Sequence, residues 1–233
     1  MSSDCVTHAD LGGQLGHGPI NPGGEGDSWH AAWERRAFAV TAAMLVTGAW
    51  NVDMLRAANE TLPDYGDRSY YEIFIGGLLK MLDERWLVSA DELAAGRSPR
   101  EPPGLPNVML ARDVAAVLPS GAPSERPATT QPRFAIGQHV RTYLGTVPHH
   151  TRLPGYAKGE LGVIELVHGV HVFPDANASG EGEQPHWLYT VAFSADELWP
   201  DGAPGITVSI DAWEPAWRRH DPSTPFSGIA DQR

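Results

Sequence analysis

Apolar residues in the first half of the chain recur at the spacing of amphipathic helices. The clearest set returns every three or four residues, close to the 3.6-residue period of a helix: Trp29, Trp33, Ala37, Val40 and Met44. Farther along, Ser69 with Glu72 and Ser89 with Glu92 form capping boxes, in which each side chain can satisfy a backbone N–H at the start of a helix. The pattern predicts a helical domain over residues 27–118.

The second half of the chain changes to short apolar runs separated by turn residues, which is the pattern of β-strands. The predicted strands lie at 134–143, 161–167, 170–173, 187–193 and 206–213, with turns at the sequences HGV and DGAPG. Five short strands over about 80 residues are typical of a small closed barrel of the SH3-like kind, and a sandwich remains the alternative.

Two further segments are rich in Gly or Pro and too poor in large apolar residues to build a core. The first, residues 1–26, predicts an extended arm. The second, residues 119–132 with the sequence PSGAPSERPATTQP, predicts a semi-rigid linker. The predicted fold class is therefore α+β and multidomain. It consists of an extended N-terminal arm (1–26) and a helical N-terminal domain (27–118), followed by the linker (119–132) and a C-terminal SH3-like β-barrel domain (133–233).

The composition argues against several classes of function. The 233 residues carry a formal net charge of −12, which disfavours contact with a phosphate backbone because such binding depends on Lys and Arg. No apolar run approaches the roughly 20 residues that cross a bilayer, and the polar N-terminus lacks the order of a secretion signal. We therefore expect a cytoplasmic protein that binds neither nucleic acid nor membrane. The single cysteine, Cys5, excludes an intrachain disulfide and a Cys-based metal cluster made by this chain alone.

The ten histidines are the first candidates for a metal site, but their spacing argues against one. His149 and His150 are adjacent, while His168 and His171 flank a glycine with no Cys or carboxylate cluster nearby. The chain also lacks a strand followed by a GxSxG elbow and a Gly-rich phosphate loop of either common type. The residues alone predict a binding or assembly module without a metal site of its own.

Two arginines are the remaining candidates for a functional role. Arg56 lies in a short helix predicted to begin near Asp53, and Arg152 lies in a Pro- and His-rich loop before the second predicted strand. Taken alone, such arginines are most often surface ion-pair residues.

Several segments of the sequence, taken in order, resemble a known family over nearly the whole chain. They are HADLGGQLGHGPI, AWERRAF, NVDMLR, SYY, HHTRLPGYAKGELG, HGVHVFPD, HWLYTVAFSADELW and DAWEPAW. Together they look like the β subunit of nitrile hydratases, and the run LYTVAFSADELW followed by DAWEP is the most specific part. The resemblance implies an α/β heterodimer, often paired again into a tetramer, that converts a nitrile and water to an amide. The isolated β chain is then expected to be inactive.

The resemblance also implies where the metal and its supporting residues lie. A non-haem Fe(III) or non-corrin Co(III) is expected in a Cys cluster of the α subunit, where two cysteines are oxidised, and no metal is expected in this chain. The positions that match the family's β-subunit arginines, which donate hydrogen bonds to the oxidised cysteines, are Arg56 and Arg152. A guanidinium suits this role because its planar fork of donors stays charged when buried.

Four further residues match positions that line the substrate pocket in the family: Val52, Leu55, Tyr70 and Phe74. Leu55 stands where an aromatic residue is common, Phe74 replaces a larger aromatic residue, and Lys158 stands where arginine is usual. The resemblance therefore implies a pocket that is wider or differently shaped. The alternative for all four residues is simple core packing on helix faces.

Two other functions are compatible with the sequence. The chain could belong to a related hydrolase that acts on thiocyanate, although in those enzymes this region resembles two shorter chains. It could also be a non-catalytic assembly or metal-delivery protein built on the SH3-like half, although such proteins are generally shorter and would not require both Arg56 and Arg152.

Overall fold

A computed structural model describes residues 7–12, 29–101, 104–145 and 150–220. Most of the arm predicted over residues 1–26 lies outside these ranges. The chain forms two compact units. The first contains the described residues within 1–124, 146–152 and 172–184, and the second contains those within 125–145, 153–171 and 185–233. Helices and an antiparallel sheet are both present, so the fold is α+β.

The first unit is helical. Its helices are α1 (Ala32–Val46), α2 (Val52–Glu60), α3 (Tyr70–Glu84), α4 (Ala90–Ala95), α5 (Val114–Ser120) and α6 (Pro174–Ala178), with 3-10 turns at Tyr65–Asp67 and Ala111–Asp113. Residues 172–184, which contain α6, lie in the sequence between two strands of the other unit but belong to this one.

Side-chain caps account for where several of these helices begin. The carboxylate of Glu72 accepts a hydrogen bond from the Ser69 backbone N–H at 2.8 Å, and Glu92 accepts one from the Ser89 N–H at 2.9 Å. Both helices begin where the sequence predicts, and the box at Ser89 is complete because Oγ of Ser89 accepts from the Glu92 backbone N–H at 3.3 Å. Helix α2 begins one residue before the predicted Asp53.

Helices α2 and α3 build the core of the helical unit. Its buried members are Trp50, Leu55, Ala58, Leu78 and Met81. The two helices cross closely at Gly77, where an added Cβ would lie 1.7 Å from Oδ1 and 3.2 Å from the backbone N of Asn59. Only a residue without a side chain fits this crossing, because a methyl group would push α2 away from α3.

We expect Gly77→Ala to lower the free energy of unfolding by about 2 kcal/mol, because overpacking a close contact forces the backbone apart. Urea unfolding of the purified protein measures this loss. Gly66→Ala is the matched control, since a Cβ there has no atom within 4 Å. Equal stability of the two variants would contradict the close crossing.

The second unit is an antiparallel sheet. Its strands are β1 (Glu125–Arg126), β2 (His139–Thr142), β3 (Leu161–His171), β4 (His186–Ser194), β5 (Thr207–Trp213) and β6 (Trp217–Arg219), with the short helix α7 at Ala195–Leu198. The strand order is β5-β4-β3-β2-β6, and β1 pairs with β3. Further 3-10 turns lie at Gly155–Ala157 and Glu214–Ala216.

The predicted turn at HGV is wrong, and the two strands predicted on either side of it are one. Strand β3 runs through Gly169, where its pairing register with β4 shifts. Gly169 has a φ of +111°, which a glycine adopts without the steric cost that a side chain would impose. A β-bulge therefore forms where the sequence predicts a chain reversal.

The closed SH3-like barrel predicted from the strand spacing is not confirmed, because the sheet is not closed. In the described residues β5 and β6 stand at opposite ends of the strand order and do not pair with each other. Only the 3-10 turn Glu214–Ala216 separates them in sequence, so the sheet has to curve strongly for the chain to pass from one end to the other.

The curved sheet encloses an apolar core of its own. The largest fully buried side chains of this core are Phe134, Ile164, Tyr189, Phe193 and Trp217. The indole N–H of Trp217 donates to the Ala212 carbonyl at 3.1 Å, so the only polar atom of this side chain is satisfied. Burial of such residues stabilises the unit by roughly 1.5–3 kcal/mol each relative to exposure.

Candidate functional site

Both arginines singled out from the sequence meet at one carboxylate, that of Glu60 in the last turn of α2. Nε of Arg56 donates to Oε1 of Glu60 at 3.0 Å, and Nη1 of Arg152 approaches the same oxygen at 3.4 Å. The second oxygen, Oε2, lies 3.1 Å from Nδ1 of His150. Glu60 therefore joins α2 to the loop that carries His150 and Arg152.

The exposure of these side chains shows which of them faces outward. The side chain of Glu60 is 15% exposed and that of His150 is 4% exposed, whereas that of Arg56 is 52% exposed. Within the described part of the chain, Nη1 and Nη2 of Arg56 make no hydrogen bond. The Glu60 carboxylate is thus less exposed than the guanidinium group of Arg56. It accepts from Nε of Arg56, and the Nη donors of Arg56 are not used by it.

The electrostatics of the site follow from this burial. Burial by itself raises the pKa of the Glu60 carboxyl, but hydrogen bonds from His150 and Arg56 and the charge of Arg152 outweigh it, so the pKa lies below its ordinary value of 4.5. Burial, followed by the nearby charge of Arg56, lowers the pKa of Arg152. The charges of Glu60, Asp53 and Asp175 act on Arg152 in the opposite direction, so the two guanidinium groups lie close together among carboxylates that offset their mutual repulsion.

The N-terminal end of α2 is also fixed by side chains. Oδ1 of Asn51 accepts a hydrogen bond from the Met54 backbone N–H at 2.8 Å and caps the helix. The Asn51 amide donates to the side-chain oxygen of Asn177 at 3.0 Å, and the Asn177 amide donates to Asp53 at 2.7 Å. Helix α2 is therefore anchored at both ends, by Asn177 of α6 at one and through Glu60 at the other.

The four residues matched to the substrate pocket fall into two groups. Val52 is exposed on the first turn of α2, whereas Leu55 is only 4% exposed and belongs to the helical core. Tyr70 is 65% exposed at the start of α3, and its ring lies 4.9 Å from that of Phe74. The burial of Leu55 agrees with the alternative expectation that this residue packs in the core.

A cavity of about 410 Å³ lies between α1 and α3, and none of these four residues lines it. Its walls are formed by Trp33, Arg36, Ala37, Val40, Arg68, Glu72 and Ile75. The cavity is therefore separate from the arginine pair.

The structure does not group the histidines into a metal site in the ranges that it describes. His168 instead contacts the Thr190 hydroxyl at 2.6 Å, and that hydroxyl donates to Asp211 at 2.5 Å. Among the described residues, no helix is both long enough and apolar enough to cross a membrane.

Sequence reasoning missed Glu60 and His150 as members of the arginine site. Glu60 follows Arg56 by four residues, a spacing that places two side chains on the same helix face, so the pattern of charges could have indicated it. His150 carries no such signal, because its contact with Glu60 joins residues 90 positions apart in the sequence.

Comparison with known proteins assigns both halves of the chain to one kind of subunit. Residues 6–117 match the family described as nitrile hydratase beta subunit, N-terminal, and residues 123–217 match nitrile hydratase beta subunit, C-terminal. The chain belongs to the nitrile hydratase β-subunit family.

Relatives of similar length support this assignment. The chain is 37% identical to the low-molecular weight cobalt-containing nitrile hydratase subunit beta of Rhodococcus rhodochrous, over 88% of this chain and 96% of that protein. It is 32% identical to the cobalt-containing nitrile hydratase subunit beta of Pseudonocardia thermophila, over 88% of this chain and 93% of that protein. A nitrile hydratase subunit beta of a Rhodococcus species is 36% identical over 88% and 92% of the two chains.

Proposed function

We propose that this chain completes the active site of a nitrile hydratase whose metal is held by an α subunit. The observation that carries the proposal is the convergence of Arg56 and Arg152 on Glu60, with Nη donors of Arg56 left unused by the described residues. These Arg56 donors are the part of the site that no described residue satisfies. The site is therefore suited to one more small anion with oxygen acceptors.

Oxidised cysteine ligands of the α subunit fit this requirement. A sulfenate or sulfinate group is a small anion that offers oxygens to hydrogen-bond donors. Arg56 and Arg152 would donate to these oxygens across the subunit boundary, while Glu60 keeps both guanidinium groups in place from behind. The arrangement explains why the cations are arginines, since one guanidinium can serve two acceptors at the same time.

The metal of the α subunit, Co(III) or Fe(III), would act as a Lewis acid for the addition of water to the nitrile. The relatives named as cobalt-containing favour cobalt. The contribution of this chain is to orient the oxidised ligands with preorganised charge. Val52 and Tyr70, which are exposed, and Phe74, which packs beside Tyr70, would line the substrate side. Leu55 would support that wall from the core.

Co-expression of this chain with its α subunit tests the proposal. We expect a purified heterodimer, alone or paired into a tetramer, that contains cobalt or iron and converts a small nitrile to its amide, while the isolated chain does neither. Product chromatography and elemental analysis measure the two properties. A complex that hydrolyses thiocyanate but not nitriles, or that binds α without any turnover, would contradict the proposal.

A further inference from the structure

Helix α6 contacts both of the segments that carry the paired arginines. The Asn177 side chain donates to Oδ2 of Asp53 at 2.7 Å, and the Asn51 side chain donates to the Asn177 carbonyl at 2.9 Å. On the same helix, Oδ1 of Asp175 accepts a hydrogen bond from the Arg152 backbone N–H at 3.3 Å. This five-residue helix thus connects the beginning of α2 to the loop of Arg152.

We propose that Asn177 is a positioning residue for the reaction, because it fixes the placement of α2, and with it Arg56, relative to Arg152. The inference rests on the proposed role of the two arginines. It adds a residue that lies outside both arginine segments and, among the described residues, makes no hydrogen bond to either guanidinium. Its effect on the reaction is therefore transmitted through α2.

The chemistry of Asn177 suits this task. Its amide nitrogen donates to the carboxylate of Asp53, while its side-chain oxygen accepts from Asn51 at 3.0 Å. An amide carries a donor nitrogen and an acceptor oxygen on separate atoms of one short side chain, so Asn177 can serve both partners at the same time. Aspartate would place a second carboxylate against Asp53, and alanine would leave Asp53 without this donor and Asn51 with only the main-chain carbonyl of residue 177.

The geometry of α2 explains how a contact at Asn177 reaches Arg56. Asn51 is the N-cap of α2 and Asp53 lies in its first turn, so both partners of Asn177 precede Arg56 by less than two turns. A helix of nine residues moves as a rigid body when one end is released. The other end would still be held through Glu60, and the loss of Asn177 would therefore tilt α2 and change the separation of the two guanidinium groups.

The first test replaces Asn177 in the complex of this chain with its α subunit. We expect Asn177→Ala to lower kcat for a small nitrile about tenfold, with KM and metal content little changed, because loss of a residue that orients a functional group typically costs 10–100-fold. Ser179→Ala is the matched control. Among the residues that the structure describes, its hydroxyl donates only to the Asp175 carbonyl within the same short helical segment.

A second measurement separates positioning from stability. If Asn177 acts through α2, Arg56→Lys has to cost less kcat in the Asn177→Ala background than in the parent complex, because the guanidinium is already displaced there. Independent, additive losses would overturn the inference. So would a kcat for Asn177→Ala equal to that of the Ser179→Ala control.

Exchanging the side chains of Asn177 and Asp53 tests the inference even if the Asn177→Ala variant does not fold. Asn177→Asp alone opposes two carboxylates, and Asp53→Asn alone removes the charged acceptor. The double variant restores an amide–carboxylate hydrogen bond in the reverse direction and is expected to recover most of the lost kcat. If both single variants keep the parent kcat, or if the double variant recovers none of the loss, Asn177 does not position α2 for the reaction.

These outcomes distinguish the inference from the proposed function on which it rests. Parent-like kcat in both Arg56→Lys and Arg152→Lys would refute the role of the arginines. Reduced kcat in those variants together with parent-like kcat in every Asn177 variant would refute only the positioning role.

Discussion

Arg56→Lys is expected to lower kcat for nitrile hydration by roughly 10–100-fold, the range found when groups that orient metal ligands are changed. Nε of Arg56 is already occupied by Glu60 at 3.0 Å, and the proposed function assigns the remaining donors to oxygens of the α subunit. A lysine ammonium is a single point on a flexible stem and cannot hold both acceptors in a fixed geometry. The measurement is steady-state kinetics on the purified α/β complex.

The control for this prediction is the same substitution at Arg97, an exposed arginine beyond the end of α4. Size-exclusion chromatography and metal analysis of both variants establish that the complex is intact. If Arg56→Lys retains the kcat of Arg97→Lys in intact, metal-loaded complexes, Arg56 does not support the metal site.

Glu60→Gln is expected to lower kcat by about tenfold or more, because it removes the anion that holds both guanidinium groups. Arg56 and Arg152 would then repel each other without a shared counter-charge, and His150 would lose its carboxylate partner. Glu84→Gln is the matched control, since Glu84 also pairs with a cation four residues away, Lys80 at 3.1 Å. Equal kcat in the two variants would show that Glu60 has no positioning role.

The same variant gives a test through the pH dependence of stability. The pKa of Glu60 is lowered in the folded chain, so its ionised form is stabilised by folding. The contribution is complete above the ordinary value of 4.5 and is lost as pH falls below it through the lower folded pKa. The free energy of unfolding, measured with urea at neutral pH and at a pH below 4.5, is expected to fall more between these two conditions in the parent than in Glu60→Gln. Equal losses of stability in the two proteins would contradict the ion pairs of Glu60.

The local periodicity of the sequence was sufficient for much of the secondary structure. Capping at Ser69 and Ser89 depends on neighbours three residues away, so both helix starts could be predicted. The turn at Gly169 could not, because a glycine between apolar runs is equally compatible with a reversal and with a bulge. Pairing with β4 over the whole of β3 decides between them.

The candidate site likewise contains residues that the sequence indicates and contacts that only the folded chain shows. Arg56 and Arg152 could be selected by resemblance, and the spacing of Glu60 from Arg56 could indicate that pair. The contact of Glu60 with Arg152, 92 positions away, is visible only in the folded chain. Leu55 shows the opposite case, since a residue matched to a pocket lining lies in the core of the helical unit. The proposed substrate side therefore depends on Val52 and Tyr70, which are exposed, and on Phe74 beside Tyr70.

The sequence by itself determined the family and the α+β composition of the chain and singled out the two arginines, because these depend on motifs and on spacing within a few residues. The tertiary structure alone decided that Glu60 reaches Arg152 and His150, that α6 returns to the helical unit, and that Asn177 anchors α2. The physical reason is that such contacts join segments far apart in sequence. A hydrogen bond across that separation leaves no periodic pattern in the order of the residues.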